Sequence, residues 1–186
     1  VAHQERCQER QENEGGGRVM VEEGLFEKFP VESVYGMHNI PGIPVGKFAV
    51  RPGPMMAAYD IFEVGLKGVG GHGAMPQHTI DPVVVGAHIV TALQSIVARN
   101  VDPLQTAVVT VGALHAGTAN NVIPAEAKME LSVRALDPQV RALLKERIHE
   151  LVSLQAASFK VKADIDWRAG YCVLVNTPAE TQLALQ

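Results

Sequence analysis

His72 stands in the run Gly-Val-Gly-Gly-His-Gly-Ala-Met-Pro, residues 68–76, between an expected strand and an expected helix. Glycines tolerate positive φ and let another backbone or a ligand come close, so such a run can hold an imidazole out at a domain's rim. A turn with an incidental exposed histidine is the alternative, and nearby His78 fits a solvated side chain. Asn121 opens Asn-Val-Ile-Pro, and Arg134 follows 13 residues later. An amide and an arginine fork suit a carboxylate, so the pair fits an acidic substrate group, with plain solvated surface as the alternative for Arg134. His38, in Tyr-Gly-Met-His-Asn, and Glu12, in the polar N-terminal stretch, offer an imidazole and a carboxylate to a hard or borderline metal ion. Two ligands do not make a zinc centre, which takes three or four, and the sequence supplies no further cluster.

Positioning these groups falls to four strands and two helices. Residues 61–67 predict a strand, and Val83 to Arg99 a helix whose core face is Val85, Ile89, Leu93 and Ile96. Asp81 before Pro82 sets an N-cap carboxylate ahead of a proline at the first helical position, where a missing N–H costs nothing. Thr106 to Leu114 predicts the second strand. In the third, Ala127, Met129, Leu131, Val133 and Ala135 alternate with Lys128, Glu130, Ser132 and Arg134, a period of two that buries one face. The fourth repeats this, with Phe159, Val161, Ala163, Ile165 and Trp167 inward. Between them a helix from Pro138 to about Ala157 opens on another Asp-Pro pair, with Leu143, Leu144, Ile148, Leu151 and Val152 inward. The order predicts an α+β fold, a ferredoxin-like βαββαβ sandwich with an antiparallel sheet covered on one face by two helices. Upstream, a polar N-terminal end precedes Gly15–Gly17, a short helix is expected over 18–27, a short strand over 34–38, and a Pro- and Gly-rich loop over 41–54.

Composition narrows the function classes. Hydrophobic residues make up 47% and charged residues 19%, enough apolar content for a core. The net charge of −4 provides no basic footprint for nucleic acid, and the third strand lacks the aromatics on which a ferredoxin-like RNA binder stacks bases. Cys7 and Cys172 form no CxxC pair, so no disulfide framework or zinc knuckle is argued and a reducing compartment fits. No bilayer-spanning run or signal peptide is expected, which leaves a cytoplasmic protein with no membrane partner.

Taken in order, residues 12–20, the Gly-Met-His-Asn segment, Gly-His-Gly-Ala-Met-Pro with Thr-Ile-Asp-Pro, Asn-Val-Ile-Pro and the Arg134 strand resemble one family over about residues 11–180. It is the aminoacylase and carboxypeptidase family of co-catalytic metallopeptidases, nearest its hippurate hydrolases and auxin-conjugate amidohydrolases. The resemblance implies an α/β catalytic domain holding two divalent ions, zinc, manganese or cobalt, with the sandwich inserted as a lid that pairs two subunits. It implies metal binding for Glu12 and His38, and for His72 a reach into the partner's active site to stabilise an oxyanion. It gives Asn121 and Arg134 the substrate's α-carboxylate. The implied reaction is hydrolysis of an N-acyl amino acid, with a glutamate carrying a proton from the attacking water to the leaving amine.

By the same resemblance residues 1–56 form part of the catalytic domain, 57–168 the lid and dimerisation domain, and 169–186 the start of a second catalytic segment. Gln11 stands where the family has its general base, and an amide cannot accept the proton. The first metal motif and the last ligand histidine would fall outside the chain. Residues 1–14 therefore read as a reading-frame artefact, or the chain as a degenerate copy. Either way the isolated chain is expected to hold no metal stably and to hydrolyse nothing. A non-catalytic binding or dimerisation module is the rival reading.

Overall fold

The computed structural model describes residues 16–186. In chain order its helices are α1 (Gly16–Glu22), α2 (Leu25–Lys28), α3 (Pro82–Asn100), α4 (Pro138–Ser158) and α5 (Pro178–Ala184). Its strands are β1 (Gly53–Met56), β2 (Ala58–Lys67), β3 (Gly71–His72), β4 (Ala107–Ala116), β5 (Val122–Ile123), β6 (Glu126–Ala135), β7 (Lys162–Ala169) and β8 (Leu174–Asn176). They form two compact units, Tyr59–Ala169 and a second made of the described residues up to Ala58 with Gly170–Gln186.

The larger unit is built on a four-stranded sheet of order β4-β6-β2-β7. β4 pairs antiparallel with β6, from Ala107↔Ala135 to Ala116↔Ala127, and β2 pairs antiparallel with β7. Period-two alternation sends Phe62, Val64 and Leu66 of β2 and Met129, Leu131 and Val133 of β6 to one face. There they meet Val85, Ile89, Leu93 and Ile96 of α3 and Leu144, Ile148 and Val152 of α4 in a single core. Burying each large aliphatic or aromatic side chain contributes about 1.5–3 kcal/mol, which makes this face the main source of stability. Both long helices start on a capped turn. Asp81 accepts from the Val83 and Val84 N–H groups at 2.8 and 3.4 Å, and Asp137 from Gln139 and Val140 at 2.7 and 3.2 Å.

Several expectations need correction. On α4 the inward face is Val140, Leu144, Ile148, Val152 and Ala156, while Leu143 and Leu151 are only half buried. The fourth strand begins at Lys162, not Phe159: Phe159 caps α4, and Lys160, at φ 63°, turns the chain through the left-handed region before Val161 is buried. α3 is, contrary to expectation, long and apolar enough by length and composition to cross a membrane. Its apolar stripe faces the sheet, which is why Ile89, Leu93 and Ile96 are fully buried.

One polar residue interrupts the core face. Asp60 follows the inward parity of β2 and is 2% exposed, and Arg141 of α4 meets it bidentately, Nε to Oδ2 at 2.8 Å and Nη2 to Oδ1 at 2.6 Å. A forked pair of this kind compensates the desolvation of a buried carboxylate and ties the start of β2 to the start of α4.

In the smaller unit β1 and β8 make a two-stranded antiparallel ribbon, and the Asn176 amide donates to the Arg51 carbonyl at 3.0 Å. The single helix expected over 18–27 is broken by Gly24, whose φ of 85° ends α1 and starts α2; Gly16 and Gly17 lie inside α1 instead of breaking the chain. Residues 34–38, expected as a strand, are exposed and irregular, because no described strand lies alongside to pair their backbone.

Two outcomes follow for urea denaturation of the chain. Leu144→Ala costs about 3 kcal/mol and Leu143→Ala about 1, in line with full and partial burial; equal losses would contradict this helix face. Arg141→Met costs about 3 kcal/mol by removing the guanidinium fork from a buried carboxylate, and adding Asp60→Leu restores most of it.

Candidate functional site

The loop from β2 to α3 is fixed by backbone contacts on both sides. Val69 and Ile80 exchange N–H···O bonds of 2.9 and 3.0 Å, and the Gly68 N–H donates to the Ala125 carbonyl at 2.8 Å. These approaches leave no room for side chains. A Cβ on Gly68 would lie 2.1 Å from the Ile80 oxygen, and one on Gly70 2.9 Å from the Ile123 oxygen. The glycine run is therefore a packing requirement as well as a site feature.

Beyond it, β3 and β5 pair antiparallel with His72 opposite Val122, and the Gly73 N–H donates to the Asn121 carbonyl at 2.7 Å. The backbones at His72 and Asn121 thus run next to one another, and both residues are exposed. The His72 Nδ1 accepts the Ala74 N–H at 3.1 Å, so a neutral ring carries its proton on Nε2 and presents that nitrogen as an outward donor. The Met75 N–H, donating to the His72 carbonyl at 2.8 Å, closes the turn. His78 ends a short 3-10 turn, Pro76–His78, and is exposed. The Asn121 side chain has no hydrogen-bond partner among the described residues.

Arg134 is elsewhere. It lies at the far end of β6, eight residues beyond Glu126, opposite Val108 of β4. At about 3.4 Å per residue that strand separates the two ends by roughly 27 Å. Within one copy, a stretch of thirteen residues that includes a full extended strand separates Asn121 from Arg134. Arg134 points to the outward face of the sheet, and its Cζ lies 4.7 Å from the centre of the Tyr59 ring.

His38 lies exposed in the irregular segment, and Glu12 and Gln11 fall outside the described residues. Among the described residues no group of three or more His, Cys, Asp or Glu is arranged to hold a metal ion, so these side chains alone do not fit a metal centre. A shallow groove of about 550 Å³ crosses the sheet's outward face between Glu63, His115, Lys128 and Asp164, and it includes none of His72, Asn121 and Arg134.

Sequence reading missed Tyr59 and the Asp60–Arg141 pair. A signal for Asp60 was available, since it shares the parity of Phe62, Val64 and Leu66. Tyr59 had none, because pairing of β2 with β6 is long-range.

Residues 61–160 match the family described as the peptidase dimerisation domain, M20_dimer. The chain is 43% identical over 157 residues to the hippurate hydrolase of Campylobacter jejuni, covering 83% of this chain and 41% of that protein. It is 38% identical over 176 residues to the N-acetyl-L-cysteine deacetylase of Bacillus subtilis, covering 95% and 42%. Among solved structures it is similar to an aminohydrolase of methicillin-resistant Staphylococcus aureus, with a TM-score of 0.82, 29% identity and coverage of 96% and 46%. It is also similar to the YXEP protein of Bacillus subtilis, a dinuclear metal-binding peptidase from the M20 family, with a TM-score of 0.66, 30% identity and coverage of 90% and 40%. The chain spans less than half the length of these relatives. With the domain matched over more than half of its residues, this chain belongs to the M20 peptidase family and carries that family's dimerisation domain.

Proposed function

We propose that this chain is the lid and dimerisation portion of a metal-dependent amidohydrolase that cleaves the amide bond of N-acyl amino acids of the hippurate kind. The observation that carries the reading is the division along β6, with the His72 loop paired to the segment that carries Asn121 at one end and the Arg134 guanidinium at the other. The carbonyl and the α-carboxylate of an N-acyl amino acid lie a few ångströms apart, far closer than the roughly 27 Å of the strand. Two copies related by a two-fold axis remove the conflict. The His72–Asn121 end of one copy then meets the Arg134 end of the other, and each site draws on both.

In such a composite site the His72 Nε2–H donates to the oxygen on which negative charge develops, its ring held by the Ala74 contact. Arg134 forks the carboxylate, and the partner's copy of the Asn121 amide completes its hold. Divalent ions, zinc, manganese or cobalt, belong to the complete enzyme and need ligands beyond the described residues, so no step is derived through them. His38 and Glu12 are the residues this chain would contribute, and Gln11 cannot serve as the base.

The order β4-β6-β2-β7, with α3 and α4 on one face, supports a ferredoxin-like lid over 57–168. Residues 1–56 and 169–186 are then portions of the α/β catalytic domain. Exposed apolar side chains such as Met37 and Phe48, 76% and 81% accessible, support a surface that further chain covers. The match of residues 61–160 to a dimerisation domain also fits a second reading, a dimerisation module without catalysis.

Enzyme assays separate these. The isolated chain, loaded with zinc, manganese or cobalt, releases no glycine from hippurate, whereas the product of the coding sequence extended in both directions does. An extended product that folds, binds metal and still cleaves no N-acyl amino acid would favour the module. In the active form His72→Ala lowers kcat by about 10²–10³-fold. Mixing His72→Ala with Arg134→Gln subunits restores about a quarter of the parental activity, since half the dimers are hybrids with one intact site. No recovery at any mixing ratio would refute the shared site.

A further inference from the structure

Arg134 differs from Arg141, Arg147 and Arg168 in what it touches. Arg141 is forked on Asp60, Arg147 pairs with Glu150, and Arg168 pairs with Glu63 and Asp166. Arg134 meets no carboxylate among the described residues and instead lies over the Tyr59 ring, 4.7 Å from its centre. A guanidinium on an aromatic face is attracted through the ring's π cloud, which leaves its N–H donors free at the edge of the plane. The cation is thus restrained without using the donors that a bidentate anion needs.

Tyr59 is well placed for this. The next residue, Asp60, points to the helix side and is clamped by Nε and Nη2 of the Arg141 guanidinium, so the backbone at this end of β2 is fixed. Alternation along β2 then sends the half-buried Tyr59 ring to the outward face, where neighbouring β6 presents Arg134. Arginine carries about 2 kcal/mol of side-chain rotamer entropy, and a restraint applied before binding reduces what a ligand must remove.

We propose that Tyr59 is a positioning residue that holds the Arg134 fork ready for a carboxylate ligand. This rests on the reading of Arg134 as the anchor for the substrate's carboxylate. Tyr59 touches no reacting atom; it acts through Arg134 alone.

The test uses the arginine Nε–Hε resonances of the chain, titrated with hippurate and with hippuramide, which replaces the carboxylate by an amide. In the parent chain the Arg134 resonance carries a ring-current shift and moves with hippurate but not with hippuramide. Tyr59→Phe keeps both the shift and the affinity. Tyr59→Leu loses the shift and weakens hippurate binding roughly two- to fivefold, the scale of an exposed cation–π contact. Arg134→Gln removes the carboxylate-specific response, and backbone amide spectra confirm that each variant is folded. If Tyr59→Leu binds hippurate as the parent does while Arg134→Gln does not, the role of Tyr59 is overturned and the Arg134 reading stands. A parent whose Arg134 resonance ignores hippurate, or an Arg134→Gln chain that binds it equally well, overturns both.

Discussion

The antiparallel ladder between β4 and β6 keeps β6 extended from Glu126 to Ala135, and the functional layout depends on that stiffness. A strand paired along its length cannot fold back to bring its ends together without giving up ladder hydrogen bonds. One end continues into the β5 segment that is stitched to the His72 loop, and the other carries Arg134. The same pairing that makes the sheet stable therefore fixes which side chains can share a ligand. Within one copy the His72 loop and Arg134 stay at opposite ends of that strand.

The sheet achieves this by using its two faces differently. The inward face buries aliphatic side chains under α3 and α4, with Asp60 admitted because Arg141 satisfies it. The outward face is polar and internally balanced. Lys128 bridges Glu63 and Glu130, and Arg168 bridges Glu63 and Asp166. The hydrogen bond that Lys128 donates to Glu63, helped by the one to Glu130, raises the Lys128 pKa, and Asp166 followed by Glu63 raises that of Arg168, so these cations are committed within the sheet. Against that background Arg134 stands apart, lying on a tyrosine ring instead of on a carboxylate.

Most of the larger unit was legible in the sequence, for a definite reason. Period-two runs and Asp-Pro caps are local signals, and they located the four strands and both long helices to within a few residues at their ends. Where local signals conflict, the reading slipped. Phe159 continues the alternation of the last strand, yet Lys160 turns through the left-handed region and leaves Phe159 with α4. Leu143 is as apolar as Leu144, but only one of them faces the sheet. The site was less legible because its geometry is long-range. The pairing of His72 with Val122 and the stacking of Arg134 on Tyr59 join residues far apart in the chain, while the wide spacing of Asn121 and Arg134 became visible only once β6 was known to be continuous.

The exposure of both half-sites has its own physical meaning. A hydrogen-bond donor facing bulk water stabilises developing charge weakly, because unit charges 4 Å apart interact by only about 1 kcal/mol at the dielectric constant of water. The same donor, fixed in advance in a closed site, contributes several times more. His72 already has the fixed orientation, through its Nδ1 contact with the Ala74 N–H, and Arg134 has it through Tyr59. What each lacks in the isolated unit is enclosure. Under the proposed function, orientation built into one domain and enclosure obtained from another body would make the chemistry conditional on assembly, in keeping with a domain whose family is described by dimerisation. Orientation without enclosure is thus the state of this chain by itself.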